Sequence, residues 1–302
     1  MAATDARPTT PTEWAQRYHR DGYAVLPGAF SRAEVDAVNA EALRLCRGDY
    51  ATSSLTGETP PERRAATDDP APDRLTDDEL LRRYLCLHFP HKGSALIAET
   101  MRHPALVEAL TQVIGPDVKA MQSMLFLKAE GKPGQAWHQD ELFIPTRDRS
   151  LTAVWVALDD ARVDNGCLWV LPGSHRPGVL YPDREHDDPR FDCAVEAHDF
   201  PHTDDQAVPV EVDAGDVVVF NGYLLHRSLP NTRTRGLRRA LVHHCMSAQS
   251  LLPWFHRPGV QIGKTDHRDV VLVAGRDPYA ARGYEDVFSI EVRAERDGGC
   301  RR

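Results

Sequence analysis

Two side chains with metal-binding chemistry, His138 and Asp140, lie one residue apart in the stretch AWHQDELFIP, after a turn rich in Gly and Pro. In an extended segment the side chains at positions i and i+2 point to the same face. The pair would therefore offer one imidazole nitrogen and one carboxylate oxygen to a common metal. The spacing alone is weak evidence, because short motifs also match by chance and an ordinary surface turn explains this one equally well.

A third ligand is available in the stretch GDVVVFNGYLLHRS, where His226 follows a run typical of a buried strand. Two histidines and one carboxylate on one face of an iron leave coordination positions open, which is the ligand set of non-haem Fe(II) oxygenases. We therefore interpret His138, Asp140 and His226 as candidate metal ligands and catalytic residues.

An arginine strengthens this interpretation. Arg238 opens the strand-like run RRALVHH, where it shares one face with Ala240 and Val242 while Arg239 takes the other face. A guanidinium aimed into a core is costly unless it meets an anion, and its planar fork suits a carboxylate. The alternative is that both arginines are surface charges at a strand edge.

Six sequence motifs follow one another in a characteristic order: QSMLFLKA, WHQD, VWVALDD, NGCLWVLPGSH, GDVVVFNGYLLHRSLPN and RRAL. Together they resemble the phytanoyl-CoA dioxygenase (PhyH) family of Fe(II)/2-oxoglutarate-dependent oxygenases. The likeness runs from DGYAVLPGAF to about Ala248. Residues 249–302 and the loops at 50–74 and 181–206 show no motif that matches the family.

The resemblance implies a mainly β fold with flanking helices and a double-stranded β-helix core of the jelly-roll or cupin-like type. It implies that His138, Asp140 and His226 bind Fe(II) and that Arg238 anchors the C5 carboxylate of the cosubstrate 2-oxoglutarate. Gln122 and Ser228 match positions that often touch this cosubstrate.

The resemblance also implies a reaction. With O2, the expected activity is hydroxylation of an unactivated C–H of a small metabolite or natural product, with release of succinate and CO2. Halogenating relatives have a small residue at the carboxylate position, whereas this chain has Asp140. Hydroxylation is therefore expected, although desaturation, epoxidation and cyclisation use the same ligands.

Two other classes of function remain open. A Zn or Mn cupin-type hydrolase or isomerase would not use 2-oxoglutarate and would need no buried arginine, so Arg238→Ala would leave its activity largely intact. A binding module with a degenerate metal site fits poorly with an intact His/Asp/His set.

The remaining histidines have simpler interpretations. His88 and His91 have a spacing that could serve a second metal, but loop packing beside the cleft is the favoured interpretation. His243 and His244 must point to opposite strand faces, so both cannot reach one iron. His175, in PGSH, is expected to support a turn.

We expect one oxygenase domain over residues 1–302, with a helical part at about 12–118, the β-helix core at about 119–250 and a C-terminal extension at 251–302. Ser31 with Glu34 and Thr76 with Glu79 have the spacing of helix capping boxes. Pro104 and Gly115 mark the two ends of a further helix. From about residue 119, short β-favouring runs alternate with turn residues.

Charge and composition limit the partners. A net charge of −9 argues against nucleic acid as a partner. The segment 183–205 has nine acidic residues and two arginines, so it is either a solvated loop or an acidic lid favouring a neutral or cationic small-molecule substrate.

The sequence predicts a cytoplasmic protein without a membrane partner. Its six cysteines include no CxxC pair, and it has neither an apolar run of membrane-spanning length nor the apolar core of a signal peptide. An Ala/Arg-rich composition is associated with bacterial secondary metabolism.

Overall fold

The structure is a computed structural model that describes residues 12–50, 71–192, 195–252 and 268–294. Most of its helices precede the first long strand. The helices are α1 (Glu13–Asp21), α2 (Arg32–Arg47), α3 (Asp77–Arg83), α4 (Pro90–Gly93), α5 (Ala95–Thr100), α6 (Pro104–Val113) and α7 (Asp140–Phe143).

The predicted helix starts are confirmed by the capping contacts. Ser31 and Glu34 form a reciprocal capping box at α2, and Thr76 and Glu79 form another at α3. These side chains bond backbone N–H groups that have no partner within the first helical turn. Helix α6 begins at Pro104, where the missing N–H costs nothing.

The strands form two facing antiparallel sheets and one hairpin. Their bounds are β1 (Tyr23–Leu26), β2 (Tyr84–His88), β3 (Val118–Lys128), β4 (Gln135–His138), β5 (Thr152–Ala157), β6 (Leu168–Val170), β7 (Asp183–Glu185), β8 (Val195–Ala197), β9 (Val208–Val210), β10 (Val217–Asn221), β11 (His226–Ser228), β12 (Arg238–Ser247), β13 (Val271–Ala274) and β14 (Glu291–Ala294). The major sheet has the order β1-β10-β5-β12-β3-β2-β14, with β13 also paired to β3. The minor sheet has the order β4-β11-β6-β9, and β7 pairs with β8.

The major sheet is covered on both faces, which explains its nearly continuous apolar strands. On β12, Ala240 and Val242 pack in the cluster that both sheets share. Leu241 and Cys245, on the other face, pack in the cluster that includes α2 and α6. The architecture is therefore mainly β with flanking helices and a jelly-roll core, and the predicted fold class is confirmed.

The sheet draws on all three predicted parts of the chain. The part expected to be helical also supplies β1 and β2, and the C-terminal extension supplies β13 and β14. The division into three parts and the single-domain assignment stay predictions. Cys193, Cys300 and residues 51–70 lie outside the described ranges.

Among the described residues, no helix combines the length and the apolar character that crossing a bilayer requires.

Leu241 lies in the middle of β12, between β3 and β5, and is fully buried. We expect Leu241→Ala to lower the free energy of unfolding by about 2–5 kcal/mol, because it leaves a cavity in a two-sided core. Urea denaturation measures this change. Leu96→Ala is the matched control, since that leucine is 39% exposed and should change stability by less than about 0.5 kcal/mol. Equal losses in the two variants would contradict the packing described here.

Candidate metal centre

The two candidate histidine ligands face each other across one strand pair. His138 ends β4, His226 begins β11, and their Cα atoms are direct partners in the register. The register shifts between this pair and the next pair, Ser228 with Gln135. Such irregularities re-aim side chains and are common beside active sites. The strand pairing thus brings together two histidines that lie far apart in the sequence.

Gly134, just before β4, permits this close strand approach. A Cβ atom at this position would lie 1.9 Å from the backbone carbonyl oxygen of Ser228, so every other residue type would collide with β11. The glycine is therefore required by contact with a neighbouring backbone.

Asp140 completes a compact set of ligand atoms. The ligand atoms of His138, Asp140 and His226 all lie within 4.8 Å of one another. Oδ1 of Asp140 is 3.7 Å from Nε2 of His138 and 3.6 Å from Nε2 of His226. The i and i+2 positions do share one face here, even though Asp140 already belongs to the first turn of α7.

Backbone hydrogen bonds orient both imidazoles. Nδ1 of His138 lies 2.8 Å from the carbonyl oxygen of Ala136, and Nδ1 of His226 lies 2.9 Å from that of Leu224. A carbonyl oxygen can only accept, so Nδ1 carries the proton in each ring. Nε2 is then left with a free lone pair, which is the arrangement that metal-binding histidines need.

The protonation states suit a cation. Burial, followed by the neighbouring His226, lowers the pKa of His138 to about 4, so this ring is neutral near pH 7. Burial acts to raise the pKa of Asp140, but the nearby histidines, His226 first, outweigh it and leave the pKa below its usual range. Oδ2 of Asp140 is buried, and the protein group that approaches it is Nε2 of His244, at 3.3 Å. Two imidazole nitrogens and an ionised carboxylate fit a divalent transition metal.

His244 is a residue of the site that the sequence analysis did not select. It projects from β12 of the opposite sheet, and its Nε2 lies 3.3 Å from Oδ2 of Asp140. His243 points to the other face, where Nε2 lies 2.9 Å from Oγ1 of Thr100. The predicted opposition of the two side chains is therefore observed. The sequence did contain an indication for His244: it lies an even number of residues after Arg238 on the same strand, so both side chains point to the same face.

A cavity between the sheets contains the candidate ligands together with Arg238 and Ser228. Arg238 is only 3% exposed, and its Nε is buried without a hydrogen-bond partner in the described chain. Burial lowers the pKa of Arg238 to about 10, which still leaves it charged at neutral pH. Gln122 is buried on β3 opposite His244, but it does not belong to the set of residues lining the cavity.

The neighbouring Arg239 shows what a satisfied arginine looks like in this fold. Its Nη2 and Nε donate to the two carboxylate oxygens of Asp159, at 2.6 and 2.7 Å. Arg238, one residue earlier, faces the cavity with Trp155, whose ring centroid is 5.5 Å from Cζ of Arg238. The alternative that both arginines are surface charges is therefore excluded for Arg238.

Gln139, between the two candidate ligands of the HQD stretch, ties this stretch to the backbone at Val179, Tyr181 and Tyr223. Its Nε2 donates to the carbonyl oxygens of Val179 and Tyr223, at 3.0 and 2.7 Å. Its Oε1 accepts from the backbone N–H of Tyr181 at 2.9 Å. The amide thus has three backbone partners and is nearly fully buried.

The acidic segment lies at the edge of the cavity. The N–H of Gly134 donates to the carbonyl of Arg190 at 2.7 Å, and the N–H of Asp192 donates to the carbonyl of Gly134 at 2.8 Å. Asp192 lines the cavity and forms a largely buried ion pair with Arg293 of β14. Asp188 forms a bidentate pair with Arg190. Part of the acidic charge is thus compensated within the fold.

The remaining histidines have structural contacts away from the candidate ligands. Nδ1 of His91 lies 2.6 Å from Oγ of Ser123, and Nε2 of His175 lies 3.1 Å from the backbone oxygen of His19. Among the described residues, the group of three potential metal ligands is the His138, Asp140 and His226 set, which does not include His88 or His91.

Two facing antiparallel sheets with a His/Asp/His set in the cavity between them define the class: a jelly-roll protein with a candidate mononuclear metal centre. Residues 18–240 match the family described as phytanoyl-CoA dioxygenase (PhyH). The chain belongs to this family.

Individual relatives agree with the family assignment. The chain is 41% identical over 113 residues to phytanoyl-CoA dioxygenase 1 of Oryza sativa subsp. japonica, covering 37% of this chain and 39% of that protein. It is 30% identical over 247 residues to the peroxisomal phytanoyl-CoA dioxygenase of Rattus norvegicus, covering 75% of this chain and 65% of that one. The chain therefore spans less than two thirds of the length of these relatives.

A solved structure supports the fold. EvdO2 from Micromonospora carbonacea var. aurantiaca, complexed with 2-oxoglutarate, has a TM-score of 0.57 and 22% sequence identity to this chain. The match covers 83% of this chain and 96% of that one. At this identity, the likeness concerns the fold.

We expect His138→Ala and His226→Ala each to weaken binding of a divalent transition metal by about 100-fold or more. Removing a ligand should cost at least as much as removing an outer partner, which costs about 10–100-fold. Anaerobic calorimetric titration with Fe(II) or Co(II) measures the affinity. His175→Ala is the control, because its ring contacts the backbone near α1, and it should bind metal like the unaltered protein. Tight binding by His138→Ala would rule out this set as the metal site.

Proposed function

We propose that this chain is an Fe(II)/2-oxoglutarate-dependent dioxygenase that hydroxylates an unactivated C–H of a small metabolite or natural product, releasing succinate and CO2. Family membership supports the reaction class. The observation that carries the proposal is Arg238, a buried cation with an unpartnered Nε in the same cavity as the His138, Asp140 and His226 set. A metal hydrolase does not require such a group, whereas a dicarboxylate cosubstrate needs a cation for its distal carboxylate.

The proposal gives each cavity residue a task. His138, Asp140 and His226 would hold Fe(II), and Arg238 would bind the C5 carboxylate of 2-oxoglutarate. Ser228, also in the cavity, is proposed as a second contact to the cosubstrate. Gln122 remains a proposed contact on the strength of the family resemblance alone.

The chemistry is divided between the metal and the protein. A bound ferrous ion would supply O2 activation coupled to oxidative decarboxylation of 2-oxoglutarate. The chain supplies binding and orientation, because backbone carbonyl groups orient its two imidazoles and three histidines surround its carboxylate. The apolar walls exclude water, which strengthens the electrostatic contacts of Arg238. These walls include Phe126, Trp155, Phe220 and Val242.

The substrate is proposed to be a neutral or cationic small molecule, in preference to an acyl-CoA with its phosphate charges. Support comes from the acidic segment, whose Asp192 lines the cavity. We also propose a cytoplasmic location and a role in secondary metabolism. Buried free thiols at Cys86, Cys167 and Cys245 support the location, since such thiols persist in reducing compartments.

We expect anaerobic protein mixed with Fe(II) and 2-oxoglutarate to show a weak visible charge-transfer band. Arg238→Ala should need about 10–100-fold more 2-oxoglutarate to reach half of this signal, because it loses a charge-assisted bond to the carboxylate. Arg239→Ala is the matched control on the opposite strand face and should titrate like the unaltered protein. A protein without this band, or an Arg238→Ala variant that binds 2-oxoglutarate normally, would favour the Zn or Mn hydrolase or isomerase instead.

The charge preference has its own test, run by succinate release across candidate metabolites of different charge. For a cationic substrate, Asp187→Asn with Asp188→Asn should raise KM in low salt and have little effect at high salt, because exposed charges are screened beyond about 10 Å at 0.1 M. A neutral substrate of similar size is the control. An unchanged KM for the cation would make the segment a solvated loop.

A further inference from the structure

The cavity contains a second buried cation, Lys128, beside Arg238. The two residues are direct partners in the register of β3 and β12. Partners in adjacent strands project to the same face, and like charges at such positions repel each other. Both side chains line the cavity, and Lys128 is only 7% exposed. The fold therefore places two positive groups together where water is scarce.

The nearest carboxylates do not neutralise this pair. Asp192 and Asp159 act on Lys128 and Arg238 electrostatically, but each already forms an ion pair with another arginine, Arg293 and Arg239 respectively. Burial, and after it the charge of Arg238, lowers the pKa of Lys128 well below its usual range. An anion bound between the two side chains would offset this cost and favour the charged form of Lys128.

Lys128 also contacts a hydroxyl that faces the cavity. Its Nζ lies 2.9 Å from Oγ of Ser228 and 2.8 Å from the carbonyl oxygen of Leu229. The backbone N–H of Gln135 donates to the same Oγ at 3.2 Å. With Lys128 protonated, both lone pairs of this hydroxyl are occupied, so Ser228 must donate its own proton elsewhere.

The space that Nζ of Lys128 occupies depends on a glycine, Gly166. Gly166 adopts a left-handed conformation with φ +81°, and a Cβ there would lie 3.0 Å from Nζ of Lys128 and 2.4 Å from the carbonyl oxygen of Leu229. A side chain at residue 166 would therefore displace the lysine from its partners. Gly166, the first glycine of the NGCLWVLPGSH stretch, thus provides the space for Nζ of Lys128.

We propose that Lys128 is a positioning residue of the cosubstrate site, acting through Ser228. Its ammonium group directs the Ser228 hydroxyl proton towards the distal carboxylate of a 2-oxo dicarboxylate and adds a second positive charge beside Arg238. This inference rests on the proposed function. It makes the cationic end of the cavity selective for a dianionic 2-oxo acid over a monoanionic one of similar size.

The test is anaerobic calorimetry on the Fe(II)-loaded protein with two probes, 2-oxoglutarate and 2-oxovalerate, which lacks the distal carboxylate. Lys128→Met keeps the unbranched stem of the side chain and removes the ammonium group. We expect it to weaken 2-oxoglutarate binding by about 10–100-fold and to leave 2-oxovalerate and Fe(II) binding within about twofold. Lys119→Met is the matched control, a buried lysine on the same strand that donates to the carbonyl oxygen of Ser250. It should leave both affinities unchanged.

A double-mutant cycle tests the route through Ser228. If Lys128 acts through this hydroxyl, Lys128→Met should weaken 2-oxoglutarate binding less in a Ser228→Ala background than in the unaltered protein. Fully additive losses would overturn the positioning role. Should Lys128→Met not fold, Lys128→Gln carries the same comparison.

Binding of 2-oxoglutarate separates the role of Lys128 from the proposed function of the chain. A folded Lys128→Met protein that binds 2-oxoglutarate with unaltered affinity overturns this inference alone. An unaltered protein that binds no 2-oxoglutarate overturns the proposed function itself.

Discussion

The antiparallel pairing of β4 with β11 is the constraint on which the candidate centre depends. It sets His138 directly opposite His226, and Asp140 then follows two residues later on the same side. Backbone atoms hold each part of this arrangement: carbonyl groups fix the two rings, and the absence of a side chain at Gly134 lets the strands approach. Because the candidate ligands depend on a strand register, any slip by one residue would point His138 away from His226 and Asp140.

The cavity has a division of charge that follows from the two facing sheets. The minor sheet supplies the two candidate histidine ligands and Ser228, while the major sheet supplies Arg238 and Lys128 from neighbouring strands. Buried charges without protein partners are costly, so such groups are expected where a ligand supplies the missing partner. The contrast between Arg238 and the fully paired Arg239 shows that the cost is confined to the side that faces the cavity.

Local sequence signals were sufficient for much of the fold. The capping boxes at Ser31 and Thr76 act within one helical turn, and the apolar runs of β5, β10 and β12 reflect burial on both faces. The pairing of β13 and β14 with the major sheet carried no such signal, because strand pairing is a long-range contact. Sequence alternation correctly separated Arg238 from Arg239, since side-chain parity is a local property of a strand.

The site residues that the sequence did not reveal also depend on long-range contacts. Parity also placed His244 on the face of Arg238, but its approach to Asp140 depends on the spacing between two sheets, which no local pattern encodes. In the sequence, Lys128 is an ordinary charged residue at the end of a strand. Its partners, the Ser228 hydroxyl and the carbonyl of Leu229, lie in and directly after β11 of the other sheet, so only the tertiary structure reveals them. The family resemblance selected Gln122, which the structure buries on β3 without including it in the lining of the cavity.

Gln139 has a consequence for how such a chain can diversify. Its side chain fastens residues 179–181 to the same tripeptide that carries two candidate ligands. A change in the backbone at 179–181 therefore has to preserve an acceptor and a donor for this amide, or Gln139 loses partners at its position between the two candidate ligands. Variation of this segment and the integrity of the candidate metal centre are thus coupled through a single glutamine.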